Sequence, residues 1–136
     1  MGCRAMMRPE RIAERTIIMS FHRKLQKNPN VVVNFKGGNG SLKMRPILNG
    51  ADEMYGKGRV FGLMTLEKGD EIGRHTHQGD GETFCILNGH GKYLYNGALI
   101  DVGPGDILFT DDGEEHYMIN EQDEPLEFIA LVLFDS

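Results

Sequence analysis

The sequence predicts an all-β protein, a sandwich or barrel of short strands. Glycine is abundant, at 18 of 136 residues, and recurs in clusters between short apolar or β-branched runs. Ten such runs fall within about a hundred residues, which leaves little space for helices. The best turn signal, Asn96-Gly97, separates two of them, because this dipeptide accepts the positive φ angles of a two-residue hairpin turn.

The predicted strands follow one another with short polar or glycine-rich connections. They are 31–35, 42–48, 60–66, 72–77, 82–87, 91–95, 98–102, 106–110, 115–120 and 126–134. Gly37-Gly38-Asn39-Gly40 predicts a loop between the first two strands, and Asp111-Asp112-Gly113 predicts a turn before the ninth. A helix is expected only around residues 9–15, where Pro9 suits a first helical turn.

Length and charge limit the number of domains and the kind of partner that the chain can have. A chain of 136 residues fits one domain, and we expect residues 28–136 to form it and residues 1–27 to be a basic extension, flexible or partly helical. The extension carries seven Lys and Arg against two Glu, whereas residues 28–136 carry eight against eighteen Asp and Glu. The acidic body argues against nucleic acid as a partner, because phosphate binding relies on clustered positive charge.

Hydropathy and cysteine content exclude other classes of protein. The longest apolar run, 128–134, has the length of a buried strand and not of a membrane span. The early basic residues are not followed by a continuous apolar region, so we predict a cytoplasmic protein with no membrane partner. The two cysteines, Cys3 and Cys85, give neither a disulfide framework nor a metal-binding Cys-x-x-Cys, and both are expected to be reduced thiols.

His75-Thr76-His77 is the first element of a candidate metal site. Alternate side chains of a strand point to the same face, so both imidazoles can reach one point. The polar segment 78–81 follows, and a hairpin there would return Glu82 to the side of the histidines. Glu82 opens an apolar run, and a carboxylate that enters a core costs heavily unless it is paired or binds a metal.

His116 is the fourth candidate ligand and lies far along the chain, in the ninth predicted strand. It completes the site only if the sheet curls round. Three imidazole nitrogens and one carboxylate oxygen suit one divalent transition metal, zinc, iron, manganese, nickel or cobalt, and affinity alone does not choose among them. Asp80 and Glu71 are close in sequence, but we expect them to be exposed in turns.

These residues belong to a longer pattern of fixed spacing. Gly69-x5-His75-x-His77-x4-Glu82-x6-Gly89 resembles the first motif of the cupin superfamily at every signature position.

A second stretch, Gly105-x5-Asp111-x-Gly113-x2-His116-x3-Asn120, resembles the second cupin motif. Its one departure is Asp111, which stands where Pro is usual and affects a turn, not a ligand. Together the two motifs cover roughly residues 60–134.

The resemblance implies a jelly-roll barrel, also called a double-stranded β-helix, in which the two His and the Glu of the first motif and the His of the second ligate a metal. These roles fall on His75, His77, Glu82 and His116. Within the superfamily the chain is most similar to small single-domain proteins labelled mannose-6-phosphate-isomerase-like. Such barrels commonly pair, so a homodimer is expected, with the run 31–33 either extending a partner's sheet or serving its own.

The function expected from these observations is that of a metal-dependent enzyme acting on a small oxygenated molecule, an isomerase, dioxygenase or similar, with no catalytic residue assigned. The alternative is a non-catalytic module that binds a sugar or small molecule, in which the metal anchors the ligand or stabilises the barrel. Candidate pocket residues are those that share a strand face with Glu82 or His116, or that lie in a neighbouring predicted strand. Asn120 either orients ligands or substrate or merely ends its strand. The candidates are Phe84, Ile86, Met118, Asn120, Tyr93 and Tyr95.

Overall fold

The computed structural model describes residues 19–136, and in this part of the chain ten antiparallel strands confirm the predicted all-β fold. Two short 3₁₀ turns, Phe35–Gly37 and Ala51–Met54, are the helical segments among these residues. The helix expected around residues 9–15 lies outside the described residues. The strands are β1 Asn30–Val33, β2 Ser41–Leu48, β3 Gly58–Leu66, β4 Glu71–Thr76, β5 Asp80–Asn88, β6 Gly91–Tyr95, β7 Ala98–Val102, β8 Ile107–Thr110, β9 Glu115–Ile119 and β10 Leu126–Phe134.

The strands form two sheets of a jelly roll. One sheet has the order β1-β2-β3-β10-β5-β8, and the other has the order β4-β9-β6-β7. Buried and less buried side chains alternate along the strands, and the buried ones form the core between the two sheets. In β10 the buried residues are Leu126, Phe128, Ala130 and Val132, and each is followed by a less buried one.

Local turn chemistry sets several strand ends. Asn96 and Gly97 both have positive φ, 51° and 78°, and join β6 to β7 as predicted. The first strand is shorter than expected, since Asn34 adopts a left-handed conformation with φ 53° and turns the chain into the 3₁₀ turn that begins at Phe35. Glu114 N–H donates to Asp111 O and closes the turn expected before β9.

The connection between β4 and β5 is not the predicted hairpin. The two strands belong to different sheets, because β4 pairs with β9 while β5 pairs with β10 and β8. The short polar segment between them therefore crosses from one layer to the other. As a consequence, Glu82 faces His75 and His77 from the opposite sheet.

The N-terminal end of the described chain is tied to the barrel by polar contacts of Arg23. Arg23 donates to Glu53 and to Ile47 O, which anchors residues that form no helix or strand. β1 pairs with β2 in its own sheet and stands at the edge of that sheet. Among residues 19–136 there is no helix with the length and apolar character needed to cross a bilayer.

Candidate metal centre

Four side chains converge between the two sheets. His75, His77, Glu82 and His116 each offer one ligand atom, and these atoms lie within 4.8 Å of one another. The structure thus brings together the four residues that the sequence predicts as ligands.

Each donor comes from a different point in the fold. His75 lies on β4, directly opposite His116 on β9, and Glu82 is the third residue of β5. His77 follows β4, and its N–H donates to Glu114 O, which continues the pairing beyond the strand. The site therefore depends on strand pairing across both layers and not on one local motif.

The distances between donor atoms are those of neighbouring ligands around one ion. His116 Nε2 lies 3.1 Å from His75 Nε2 and 3.1 Å from His77 Nε2. Glu82 Oε1 lies 3.1 Å from His77 Nε2 and 3.3 Å from His116 Nε2. Bonds of about 2.0–2.2 Å from a common ion separate adjacent donors by about this much.

The other ring nitrogens decide which tautomer each histidine adopts. His75 Nδ1 lies 2.7 Å from Gly73 O, and His77 Nδ1 lies 2.6 Å from Asp80 Oδ1. A carbonyl and a carboxylate only accept, so both Nδ1 atoms carry a proton, and Nε2 of each ring is the atom that a metal ion would take.

His116 is held by hydroxyl groups. Its Nδ1 lies 2.9 Å from Thr110 Oγ1 and 3.2 Å from the hydroxyl of Tyr93, and these two hydroxyls lie 2.5 Å apart. A hydroxyl serves either tautomer, so an ion at Nε2 would select the form in which Nδ1 donates to Thr110.

Burial controls the protonation of the centre. Burial lowers the pKa of His116 to about 3, and the neighbouring histidines add to the effect. Burial also lowers the pKa of His75, with a smaller contribution from the charge of Lys36. The hydrogen bond to Glu82 raises the pKa of His77, so His75 and His116 are the rings kept neutral, as a ligand must be.

The donor set fits a divalent transition metal. The Nε2 atoms of His75 and His77 each lie 3.1 Å from that of His116, and Glu82 adds a negative charge at the same point, so one cation could accept a lone pair from all four residues. Three nitrogens and one carboxylate oxygen are the ligands that zinc, manganese, iron, nickel or cobalt accept.

Asp80 contacts a candidate ligand, a position that the sequence did not predict. It was expected to be exposed in a turn, but only 6% of it is exposed, because β5 begins two residues earlier than predicted. Its Oδ1 accepts from His77 and its Oδ2 lies 2.9 Å from Arg59 Nε. Burial works to raise the pKa of Asp80, but these two hydrogen bonds outweigh it and hold the pKa below its ordinary value.

A small cavity, here called the metal cavity, opens beside the donor atoms and has a volume of about 80 Å³. Its wall is mostly apolar, with Leu42, Met64, Phe84 and Phe128 among ten apolar residues. The charged or ionisable residues that line it are Lys36, Arg59, His75, His77 and Glu82.

Of the six candidate pocket residues, Phe84 lines the metal cavity and also stacks on His116, with ring centroids 5.3 Å apart. Ile86 and Met118 are buried in the core and are not among the residues that line the cavity. Tyr93 supports His116 from outside the cavity, and Tyr95 is 55% exposed beside the hairpin turn.

Asn120 ends its strand and does not contact the donors. Its amide donates to Leu66 O and Glu124 O, and its Oδ1 accepts from Gln122 N–H. The residue therefore fixes the turn between β9 and β10, one of the two roles that the sequence allowed.

Known proteins share this architecture. Residues 62–133, more than half of the chain, match the family described as the cupin domain. The chain belongs to the cupin family. Both motifs and all four donor residues of this cupin lie within the matched region.

A named relative and a crystal structure, both from Thermotoga maritima, are similar to this cupin over most of its length. A protein named oxalate-binding protein is 35% identical over 111 residues, which span 82% of this chain and 91% of the relative. A crystal structure described as a predicted oxalate decarboxylase is 33% identical, with a TM-score of 0.77, and the match covers 82% of this chain and 99% of that one.

More distant structures share the barrel. An uncharacterised Klebsiella pneumoniae protein with a double-stranded β-helix domain is 28% identical, with a TM-score of 0.51, over 54% of this chain and 65% of that one. A Schizosaccharomyces pombe cupin domain is 15% identical, with a TM-score of 0.61, over 78% and 69% of the two chains, and this likeness shows the fold alone.

Proposed function

We propose that this cupin binds a small dicarboxylate such as oxalate, one end of which is taken by a divalent metal ion held by His75, His77, Glu82 and His116. The observation that carries the proposal is a four-donor cluster beside a cavity whose remaining charged lining residues, Lys36 and Arg59, are both cations. The similarity to a protein named oxalate-binding protein supports the same class of ligand.

The size of the metal cavity favours a small acid. One water molecule needs roughly 10–15 Å³ of such a cavity, so a volume of about 80 Å³ takes about six water-sized groups. Oxalate falls within this limit, whereas a hexose phosphate exceeds it. The cavity therefore supports a small dicarboxylate over the phosphosugar that a mannose-6-phosphate-isomerase-like label would suggest.

Charge favours an anion at the same place. Residues 28–136 carry eighteen acidic and eight basic side chains, and such a body repels an anion in general. In the wall of the metal cavity the balance is reversed, because Glu82 is the one acid there and is itself a donor for the ion. A metal ion at this centre would act as a Lewis acid that takes carboxylate oxygens, while the apolar wall excludes water.

Calorimetric titration of oxalate into the metal-loaded protein tests the proposal. We expect binding with one bound metal per chain, no binding after chelation, and loss of both metal and oxalate binding in His75→Ala and His116→Ala. His90→Ala, which removes an exposed histidine, should behave as the unaltered protein. Failure of the metal-loaded protein to bind oxalate or malonate would refute the proposal.

Turnover of the bound acid is a second candidate function, in line with the metal-dependent enzyme expected from the sequence. Four protein donors leave positions open on a six-coordinate ion, which is the mark of a reactive centre. A decarboxylase would release carbon dioxide and formate from oxalate. An isomerase would convert mannose 6-phosphate, and a dioxygenase would consume dissolved oxygen with other small substrates. Binding of oxalate without any product would leave the binding module as the function.

We also propose that the chain forms a homodimer. Val31 and Val33 are 54% and 68% exposed on β1, an edge strand, and an apolar edge of this kind favours pairing with another strand. Sedimentation should give a dimer at micromolar concentration and a monomer for Val33→Lys. A monomer from the unaltered protein would contradict this proposal.

A further inference from the structure

The segment 34–40 joins β1 to β2 and contributes Phe35 and Lys36 to the wall of the metal cavity. We call it the capping loop. Asn34 and Lys36 have φ of 53° and 55°, in the left-handed region that residues with a side chain rarely adopt. Backbone of this kind persists only where its surroundings hold it, and it is concentrated at ligand sites.

Close backbone contact fixes the capping loop to β4. A Cβ atom on Gly73 would lie 2.1 Å from Lys36 O, so the loop rests directly on the strand, two residues from His75. Glu71 N–H donates to Asn39 O at 2.9 Å, and Asn39 N–H donates to Glu71 Oε1 at 2.8 Å. The position of Lys36 is therefore set by the strand that carries a metal donor.

The capping loop directs an aromatic ring and a cation toward the donors. The Phe35 ring meets the His75 ring edge-on, with centroids 6.3 Å apart. Lys36 Nζ lies 5.6 Å from the centroid of Phe35. The ammonium group therefore lies over a ring that also contacts a donor histidine.

Lys36 differs from the other cation of the metal cavity in its bonding. Arg59 is paired with Asp80 at 2.9 Å, so its charge is already engaged. Among residues 19–136 Lys36 forms neither an ion pair nor a side-chain hydrogen bond. It is the cation of the cavity wall that is left to meet a ligand.

We propose that Lys36 binds the carboxylate of the ligand that the metal does not hold, and that it thereby selects acids with two anionic ends over acids with one. This inference rests on the proposed function, since it assumes that one carboxylate is taken at the donor cluster. Lys36 lines the same cavity as the donors, and that cavity has a volume of about 80 Å³, so the selected ligands are short dicarboxylates.

The test compares oxalate with acetate, which offers only the end that the metal takes. In metal-loaded Lys36→Met we expect oxalate affinity to fall at least about fivefold and acetate affinity to change less than about twofold, with unchanged metal content. Lys36→Asn removes the same charge with a residue that tolerates the left-handed backbone, and Lys36→Arg should restore oxalate binding. Lys57→Met removes an exposed lysine elsewhere and should have no effect.

The outcomes separate this inference from the function on which it rests. If the unaltered protein binds oxalate but both charge-removing variants bind it equally well, the role of Lys36 is refuted and the proposed function stands. If oxalate and acetate weaken equally, Lys36 acts as a general charge and the proposed selectivity is wrong. If the unaltered metal-loaded protein binds neither dicarboxylate nor acetate, both proposals fail together.

Discussion

At the level of single residues, Asp80 is the partner that orients the ring of His77, a candidate metal ligand. Its carboxylate fixes the Nδ1–H tautomer of His77 and is itself held by Arg59. Partners of this kind are worth about 10- to 100-fold in metal affinity. We therefore expect Asp80→Ala to weaken metal binding by that factor in competition with a chelator. Asp52→Ala, at an exposed site, is the control, and equal affinities of the two variants would contradict the assignment.

His116 makes the stability of the metal-free protein depend on pH. Burial lowers its pKa from 6.5 to about 3, so between these values the unfolded chain binds a proton that the folded chain does not. Its contribution to stability is complete above about pH 6.5 and is lost as the pH falls toward 3. His75 acts in the same direction, whereas His77, whose pKa is raised chiefly by Glu82, stabilises below its ordinary pKa and loses this contribution as the pH rises.

Urea unfolding in the presence of a chelator measures this effect. We expect the free energy of unfolding to fall by about 2 kcal/mol on account of His116 alone between pH 6.5 and pH 5. The fall should be smaller in His116→Leu and unchanged in His90→Ala. An identical pH dependence in all three proteins would contradict the prediction.

Sequence predicts the donors better than it predicts the residues around them. The spacing of the two motifs predicted the four side chains that converge in the structure, but parity along a strand gives only the face of a residue and not its depth. Ile86 and Met118 therefore point inward but lie in the core away from the metal cavity, and Tyr95 shares the parity of Tyr93 yet lies exposed at the end of its strand. Asp80 and Lys36 reach the site through strand register and loop conformation, which no local pattern encodes.

At the level of elements, the contact between the capping loop and β4 requires glycine at position 73. A methyl group there would meet Lys36 O at 2.1 Å, so the loop must move away from the strand. We expect Gly73→Ala to lower the free energy of unfolding by about 2 kcal/mol, as overpacking does, and to weaken oxalate binding.

Gly103→Ala is the matched control for this variant. Its added Cβ would meet the exposed side chain of His90, which can rotate away. Urea unfolding should therefore show a clear loss of stability for Gly73→Ala and little change for Gly103→Ala. Equal stabilities would mean that the capping loop is not held by its contact with β4.

Connections between strands were predictable where their chemistry is local. Asn96-Gly97 encodes its own turn, because both residues accept positive φ. The segment after His77 has the same polar character but crosses between sheets, and its sequence does not distinguish these outcomes. The segment crosses between sheets because β4 pairs with β9, and that pairing joins residues about forty positions apart.

At the level of the whole molecule, the donor cluster joins two layers that otherwise meet through apolar packing. Glu82 belongs to the six-stranded sheet, and His75 and His116 belong to the four-stranded sheet. A metal that binds only the folded chain stabilises it by about 2.7 kcal/mol at a free concentration a hundredfold above its Kd.

Thermal unfolding with and without metal measures this linkage. For a domain of this size we expect metal to raise Tm by roughly 10 °C. The increase should disappear in His116→Ala, which lacks one of the donors. A Tm that is the same with metal and with chelator would show that the cluster holds no ion in solution.

The position of Glu82 across from the histidines also determines how the barrel can open. If a metal ion were held by donors of both sheets, a fluctuation that separates the layers would have to break a metal–ligand bond, so occupancy of the centre should slow amide hydrogen exchange in β10, which lies beside β5 in the middle of its sheet. Strand β7, at the far edge of the other sheet, should exchange at the same rate in both states. The amide exchange rate of a strand that carries none of the ligands would then report whether the centre is occupied.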